Sequence, residues 1–116
     1  MVNKVSMKQY LIDELRRDDH KKLKAYLDDN LLPSSFDCTY WLKLDKKILT
    51  PLQKKHETCY PHVFAIVLEE KHMTCEFLVR IKKKMKCDCM AYATYEQQNW
   101  LIKKIDTILE KLNIQI

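Results

Sequence analysis

Two short stretches of this chain hold most of the residue types that can ligate a metal or attack a substrate. The first, HETCYPH, sets His56, Cys59 and His62 three residues apart. The second, Cys87-Asp88-Cys89, can add two more thiolates. Zinc takes about four nitrogen or sulfur ligands in a tetrahedron, typically with a Cys-x2–4-Cys knuckle. Cys-x-Cys is a poorer chelating unit, although residues i and i+2 on a strand point the same way. If Pro61 starts a strand, His56 lies on a helix and His62 on that strand, and their convergence is an accident of the fold. Inward-facing cysteines on a packed strand are more often core residues. Zinc held by His56, Cys59, His62, Cys87 and Cys89 is therefore an alternative reading and not the first one.

A cysteine nucleophile is a second possible chemistry. Cys59 and Cys89 each have a histidine to draw on, and thiolates form beside cations, which are plentiful here. No sequence context marks one cysteine above the others. The paired carboxylates Asp18-Asp19, Asp28-Asp29 and Glu69-Glu70 fall at a helix start, a helix end and a turn, where capping and solvation explain them. No nucleophile, base and stabiliser can be placed together, so the sequence argues against an enzyme.

The run RIKKKMK offers a third chemistry. Arg80, Lys82, Lys83, Lys84 and Lys86, followed by Tyr92 and Tyr95, could track phosphates with aromatics for base stacking. Consecutive lysines between two strands are equally a solvated turn that protects a sheet edge. The cations are 18 lysines and only 3 arginines, and arginine is the usual bidentate reader of phosphates and bases. The net charge of +5 is thus weak support for a polyanionic partner.

The chain contains no glycine. A P-loop or dinucleotide turn needs glycine so that backbone N–H groups can approach a phosphate, and a nucleophile elbow needs small residues around a strained serine. The only serines are Ser6, Ser34 and Ser35. Several large enzyme classes are excluded on steric grounds.

These residues must be positioned by regular elements. Ser6 and Gln9 read as a capping box ahead of a first helix over about 7–17, with Met7, Tyr10, Leu11 and Leu15 on one face. Asp18 or Asp19 then caps a second helix carrying Leu23, Tyr26 and Leu27, which Asn30 closes in a left-handed conformation. FDCTYWLKL alternates Tyr40, Leu42 and Leu44 and predicts a strand. Thr50 and Pro51 start a short helix to about Glu57. HVFAIVLEE is apolar on both faces, as an interior strand covered on both sides would be, by helices or by a partner chain. MTCEFLVRI is its hairpin partner across an EEKH turn, and MKCDCMAYA is a further strand with Met85, Cys87 and Cys89 on one face. Thr94 and Gln97 form a second capping box for a closing helix to about Leu112, with Trp100, Leu101, Ile105, Ile108 and Leu109 on its apolar stripe.

The expected fold is a single α+β domain spanning residues 1–116. An antiparallel sheet of about four strands carries N-terminal helices and a long C-terminal helix packed on it. Hydrophobic residues at 47% suit a globular core and not a disordered chain. The longest apolar run, Val63 to Leu68, is of strand length, so no membrane span is expected. An odd number of cysteines, five, and an N-terminus without an apolar leader suggest a reducing cytoplasm. The first functional reading is a non-catalytic binding or adaptor module that needs no cofactor. Its partner would be another protein or a second copy in a homodimer, with nucleic acid as the less favoured partner. Trp41, out of phase with Tyr40, Leu42 and Leu44, is its expected contact residue, with Tyr40 beside it.

Overall fold

The computed structural model describes residues 2–82 and 87–115. It is an α+β fold with one antiparallel sheet. The strands are β1 (Val2–Val5), β2 (Gln9–Asp13), β3 (Leu32–Pro33), β4 (Thr39–Lys43), β5 (His62–Leu68), β6 (Met73–Glu76), β7 (Leu78–Ile81) and β8 (Ala91–Tyr92). The helices are α1 (Arg17–Asn30), α2 (Pro51–Lys55) and α3 (Tyr95–Lys111). Along the sheet the order is β1-β2-β6-β5-β4-β3, while β7 pairs with β5 and β8. Among the described residues no helix is long and apolar enough to cross a membrane.

The sheet has eight strands and not four, and the largest correction lies at the N-terminus. Residues 7–17 do not form a helix. They supply β2, in a hairpin with β1 whose register pairs Val5 with Tyr10 and Val2 with Asp13. The Ser6 hydroxyl oxygen accepts from the Lys8 and Gln9 backbone N–H groups, so the S-x-x-Q pattern closes a turn and not a helix. Alternation then governs burial. Tyr10 and Ile12 are buried, whereas Met7, which the helical reading put on the apolar face, is 89% exposed. Pairing of β2 with β6 across Tyr10↔Cys75 overrides the weak helical spacing.

The α1 helix starts at Arg16 without a side-chain cap, and Asp18 and Asp19 sit inside its first turn, where they favour the positive end of the helix dipole. It closes on an extended Leu31, not on a left-handed Asn30, whose amide Nδ2 donates to the Tyr26 carbonyl. In a chain without glycine, left-handed conformations fall on Glu14, Cys38 and Asn113. Asn113 does so to end α3, where the Ile114 N–H reaches back to the Leu109 carbonyl and Ile114 buries against the core. Cys38 is exposed in the loop before β4.

MTCEFLVRI is divided. Cys75 pairs with Ile66 and Arg80 with Val63, so Phe64 and Ala65 stand opposite the four residues Glu76 to Val79. This bulge moves β7 off the line of β6. It lets the Phe77 N–H donate to the Lys8 carbonyl while the Phe77 carbonyl accepts from Ala93. The inward set Met73, Cys75, Phe77, Val79 and Ile81 stays buried throughout.

Both long helices lie on one face of the sheet. Tyr10 Oη donates to Asp106 on α3, Tyr40 Oη to Asp28 on α1, and Phe64 stacks on Trp100 with ring centroids 6.3 Å apart. Leu23, Leu27, Leu101, Ile105 and Leu109 complete the core between the layers. Trp41 points to the other face, half-buried, across from Ala65 and Leu32.

Candidate metal centre

Two segments distant in sequence meet at one corner of the molecule. The first is the turn after α2. Thr50 caps α2 through a capping box with Gln53, and Pro51 opens its first turn. The helix is then replaced by a tighter 3-10 turn over Glu57–Cys59, with the Cys59 N–H bonded to the His56 carbonyl. With about three residues per turn, a 3-10 helix eclipses side chains at i and i+3. His56 and Cys59 are thereby brought onto one face.

The second segment is Cys87 to Met90. Among its described residues MKCDCMAYA does not form the expected strand: there only Ala91–Tyr92 pair, and the Met90 N–H closes a turn on the Cys87 carbonyl. Met85 of that reading lies outside the described residues. In this turn the Cys87 and Cys89 sulfurs both come within 4.8 Å of the His56 and Cys59 ligand atoms.

The result is a cluster of His56, Cys59, Cys87 and Cys89 whose ligand atoms all lie within 4.8 Å of one another. His56 Nδ1 is 3.2 Å from Cys87 Sγ and 3.9 Å from Cys59 Sγ, and the two sulfurs are 3.6 Å apart. Around tetrahedral zinc, the usual bond lengths imply about 3.6 Å between nitrogen and sulfur and about 3.8 Å between sulfurs. These separations match to within a few tenths of an ångström. Cys59 and Cys89 are buried, His56 and Cys87 half-buried.

The electrostatics of the three thiols are uneven. The backbone N–H of Cys89 beside the Cys87 sulfur holds that thiol down to about 6, with help from Cys89, Cys59 and His56 and against its own desolvation. Burial pushes Cys89 up to about 12, reinforced by the neighbouring Cys87 and Cys59. Negative charge is favoured on Cys87 and resisted at Cys89. Only a cation among them makes full ionisation favourable.

A buried amide chain braces this corner. Gln53 Nε2 donates to the Cys89 carbonyl, and Gln53 Oε1 accepts from Thr50 N–H and from Gln97 Nε2. Gln97 Nε2 also donates to the Ile48 carbonyl, while Gln97 Oε1 closes the cap of α3. The caps of α2 and α3 are thus bonded to each other and to the thiol loop. Gln53 was missed by reasoning from sequence, though T-P-L-Q is the same capping signature as T-Y-E-Q at Thr94.

His62, the fifth candidate ligand, is not in the cluster. It is the first residue of β5, fully buried, and neither ring nitrogen has a hydrogen-bond partner among the described residues. Of the basic strip, Arg80 is half-buried and paired with Glu76 at 3.1 Å, and Lys82 is exposed. Lys83, Lys84 and Lys86 lie outside the described residues. Tyr40 faces the helices with its hydroxyl committed to Asp28, 2.6 Å away. No family model, curated protein or solved structure matches this chain.

Proposed function

We propose that the protein is a zinc-binding module, with one ion held by His56 Nδ1 and the sulfurs of Cys59, Cys87 and Cys89. The observation that carries this reading is the convergence of four ligand atoms within 4.8 Å from segments 28 residues apart. Three thiolates and one imidazole suit zinc over harder cations. A set of four protein ligands leaves no open coordination position, which is the pattern of a structural site and not a catalytic one. The role of the ion is to hold the α2 turn against the Cys87–Cys89 loop, and so to present a rigid, non-catalytic binding surface. Free thiols at Cys38 and Cys75 are compatible with a reducing cytoplasm.

One observation favours a second reading. Cys87 Sγ and His56 Nδ1 at 3.2 Å also resemble a thiolate–imidazolium nucleophile pair. Against it, the same sulfur is hemmed in by Cys59 and Cys89, and no carboxylate orients the His56 ring among the described residues.

Native mass spectrometry combined with alkylation separates the two. Zinc predicts one ion per chain and a Cys87 that iodoacetamide reaches slowly until a chelator is added. A chain that carries no zinc, even after incubation with it, and whose Cys87 alkylates rapidly with or without chelator would establish the nucleophile instead.

A further inference from the structure

A cleft of about 500 Å³ opens beside the thiol cluster, and both histidines of HETCYPH line it. Small-molecule sites are usually concavities of roughly 300–1,000 Å³, largely apolar, with a few convergent polar groups. Leu49 and Tyr60 supply apolar wall, and Lys46 Nζ sits 4.4 Å above the centre of the Tyr60 ring. Lys54 and Glu57 stand at the rim.

His62 is the unusual member. Its side chain is fully buried, neither ring nitrogen has a hydrogen-bond partner among the described residues, and the residue borders the cleft. Buried polar groups are nearly always satisfied, because leaving one unpaired costs stability. An imidazole kept there at that cost is better explained by a ligand than by packing, since leucine would fill the space without penalty.

The remaining polar groups define what the ligand must be. Gln53 has both its amide atoms engaged within the protein. If His56 holds the metal through Nδ1, its remaining proton is on Nε2, which becomes a donor. Two lysines, His56 and a His62 N–H then face a single acidic group, Glu57. A donor-rich cleft with an apolar wall suits an acceptor-only group on an apolar body.

We propose that the cleft bounded by Lys46, Lys54, His56, Tyr60 and His62 binds a small ligand through an oxyanion group, a carboxylate or a phosphate. The proposal rests on the zinc reading, because His56 is a fixed donor here only when its other nitrogen is on the metal.

The test uses the full chain, isotope-labelled and shown by native mass spectrometry to carry one zinc. It is titrated with inorganic phosphate and, separately, with benzoate at constant ionic strength, and the backbone amides and histidine ring nitrogens are followed by NMR. Saturable shifts centred on His62, Lys54 and Tyr60 are expected. Response to phosphate alone identifies a phosphate site, response to benzoate alone a carboxylate on an apolar body, and response to both a general oxyanion site. His62→Leu should keep its zinc and melt no lower than the parent, yet bind roughly tenfold more weakly or worse. The exposed double variant Lys46→Gln/Lys54→Gln, which does not disturb the core, should weaken binding as well. No saturable shift with either anion in the zinc-loaded chain overturns the proposal and leaves the zinc reading intact. Unchanged binding in His62→Leu or in the double lysine variant also overturns it. A chain that cannot be loaded with zinc defeats both.

Discussion

The helix-covered centre and the thiol corner share β7, through Val79 and Ile81, but are held together differently. The main core gathers 22 buried residues from both helices and most strands, from Tyr10 to Ile114. The corner has Cys59, Ile81 and Cys89, with Cys87 and Met90 partly buried against them. Burial at roughly 25 cal/mol per Å² stabilises the first without assistance. The second has too little apolar surface to do the same, and it puts three thiols and an imidazole where aliphatic side chains would pack better. Small units that cannot build a core are commonly stapled by a metal. The contrast teaches that one region is folded by what it excludes and the other by what it binds.

The sharpest way to separate the regions is to damage each and ask whether zinc matters. Phe64→Ala, in the centre, should cost about 3–5 kcal/mol whether or not chelator is present, read by denaturant midpoint. Removing zinc from the parent should cost about 3 kcal/mol at a hundredfold excess of free ion over its dissociation constant. The loss should appear as a chelator-dependent drop in melting temperature that vanishes in Cys59→Ser. A chelator effect on Phe64→Ala larger than on the parent would break the comparison by showing that the two regions are one cooperative unit.

Smaller changes probe the link between them. Gln53→Ala removes the partner of the Cys89 carbonyl, of the Thr50 N–H and of one Gln97 amide N–H, and about 1–3 kcal/mol should be lost. Hydrogen exchange should rise in both the Cys87–Met90 turn and the first turn of α3. Tyr10, in the main core and outside the thiol cluster, provides the control. Burial, then its hydrogen bond to Asp106, pushes its hydroxyl up to about 12, whereas in the unfolded chain it ionises near 10. The folded state therefore binds this proton more tightly. Its contribution is complete below about pH 10 and is lost as pH rises toward about 12. Tyr10→Phe should cost about 1 kcal/mol at neutral pH and flatten stability across that alkaline window, with zinc content unchanged.

The centre was largely legible in the sequence because its signals are local and repeated. Tyr40, Leu42 and Leu44 alternate, the stripe from Leu101 to Leu109 recurs every three or four residues, and Thr94–Gln97 marks where α3 begins. The N-terminal hairpin was misread because four apolar residues at 7, 10, 11 and 15 fit a helix, while the Tyr10↔Cys75 pairing that decides otherwise spans 65 residues. The corner was legible in its residue types and not in its geometry. HETC reads as the end of a helix, whereas the chain passes into a 3-10 turn over Glu57–Cys59 with His56 and Cys59 on one face. CDC reads as a strand with both sulfurs on one face, and nothing local in it signals the turn that closes at Met90 beside the 3-10 turn. His62, equally plausible on spacing, starts β5 opposite Ile81 and borders the cleft beside His56 without joining the four ligand atoms.

Cobalt substitution tests the corner most directly, because Co²⁺ takes the same four ligands and reports their number and type in its absorption. A tetrahedral three-sulfur, one-nitrogen site should give intense visible ligand-field bands and strong thiolate-to-cobalt charge transfer in the near ultraviolet. Both should be displaced by one equivalent of zinc and lost in Cys87→Ser. The weak spectrum of six-coordinate cobalt, unchanged by Cys87→Ser, would show that these side chains meet without a metal.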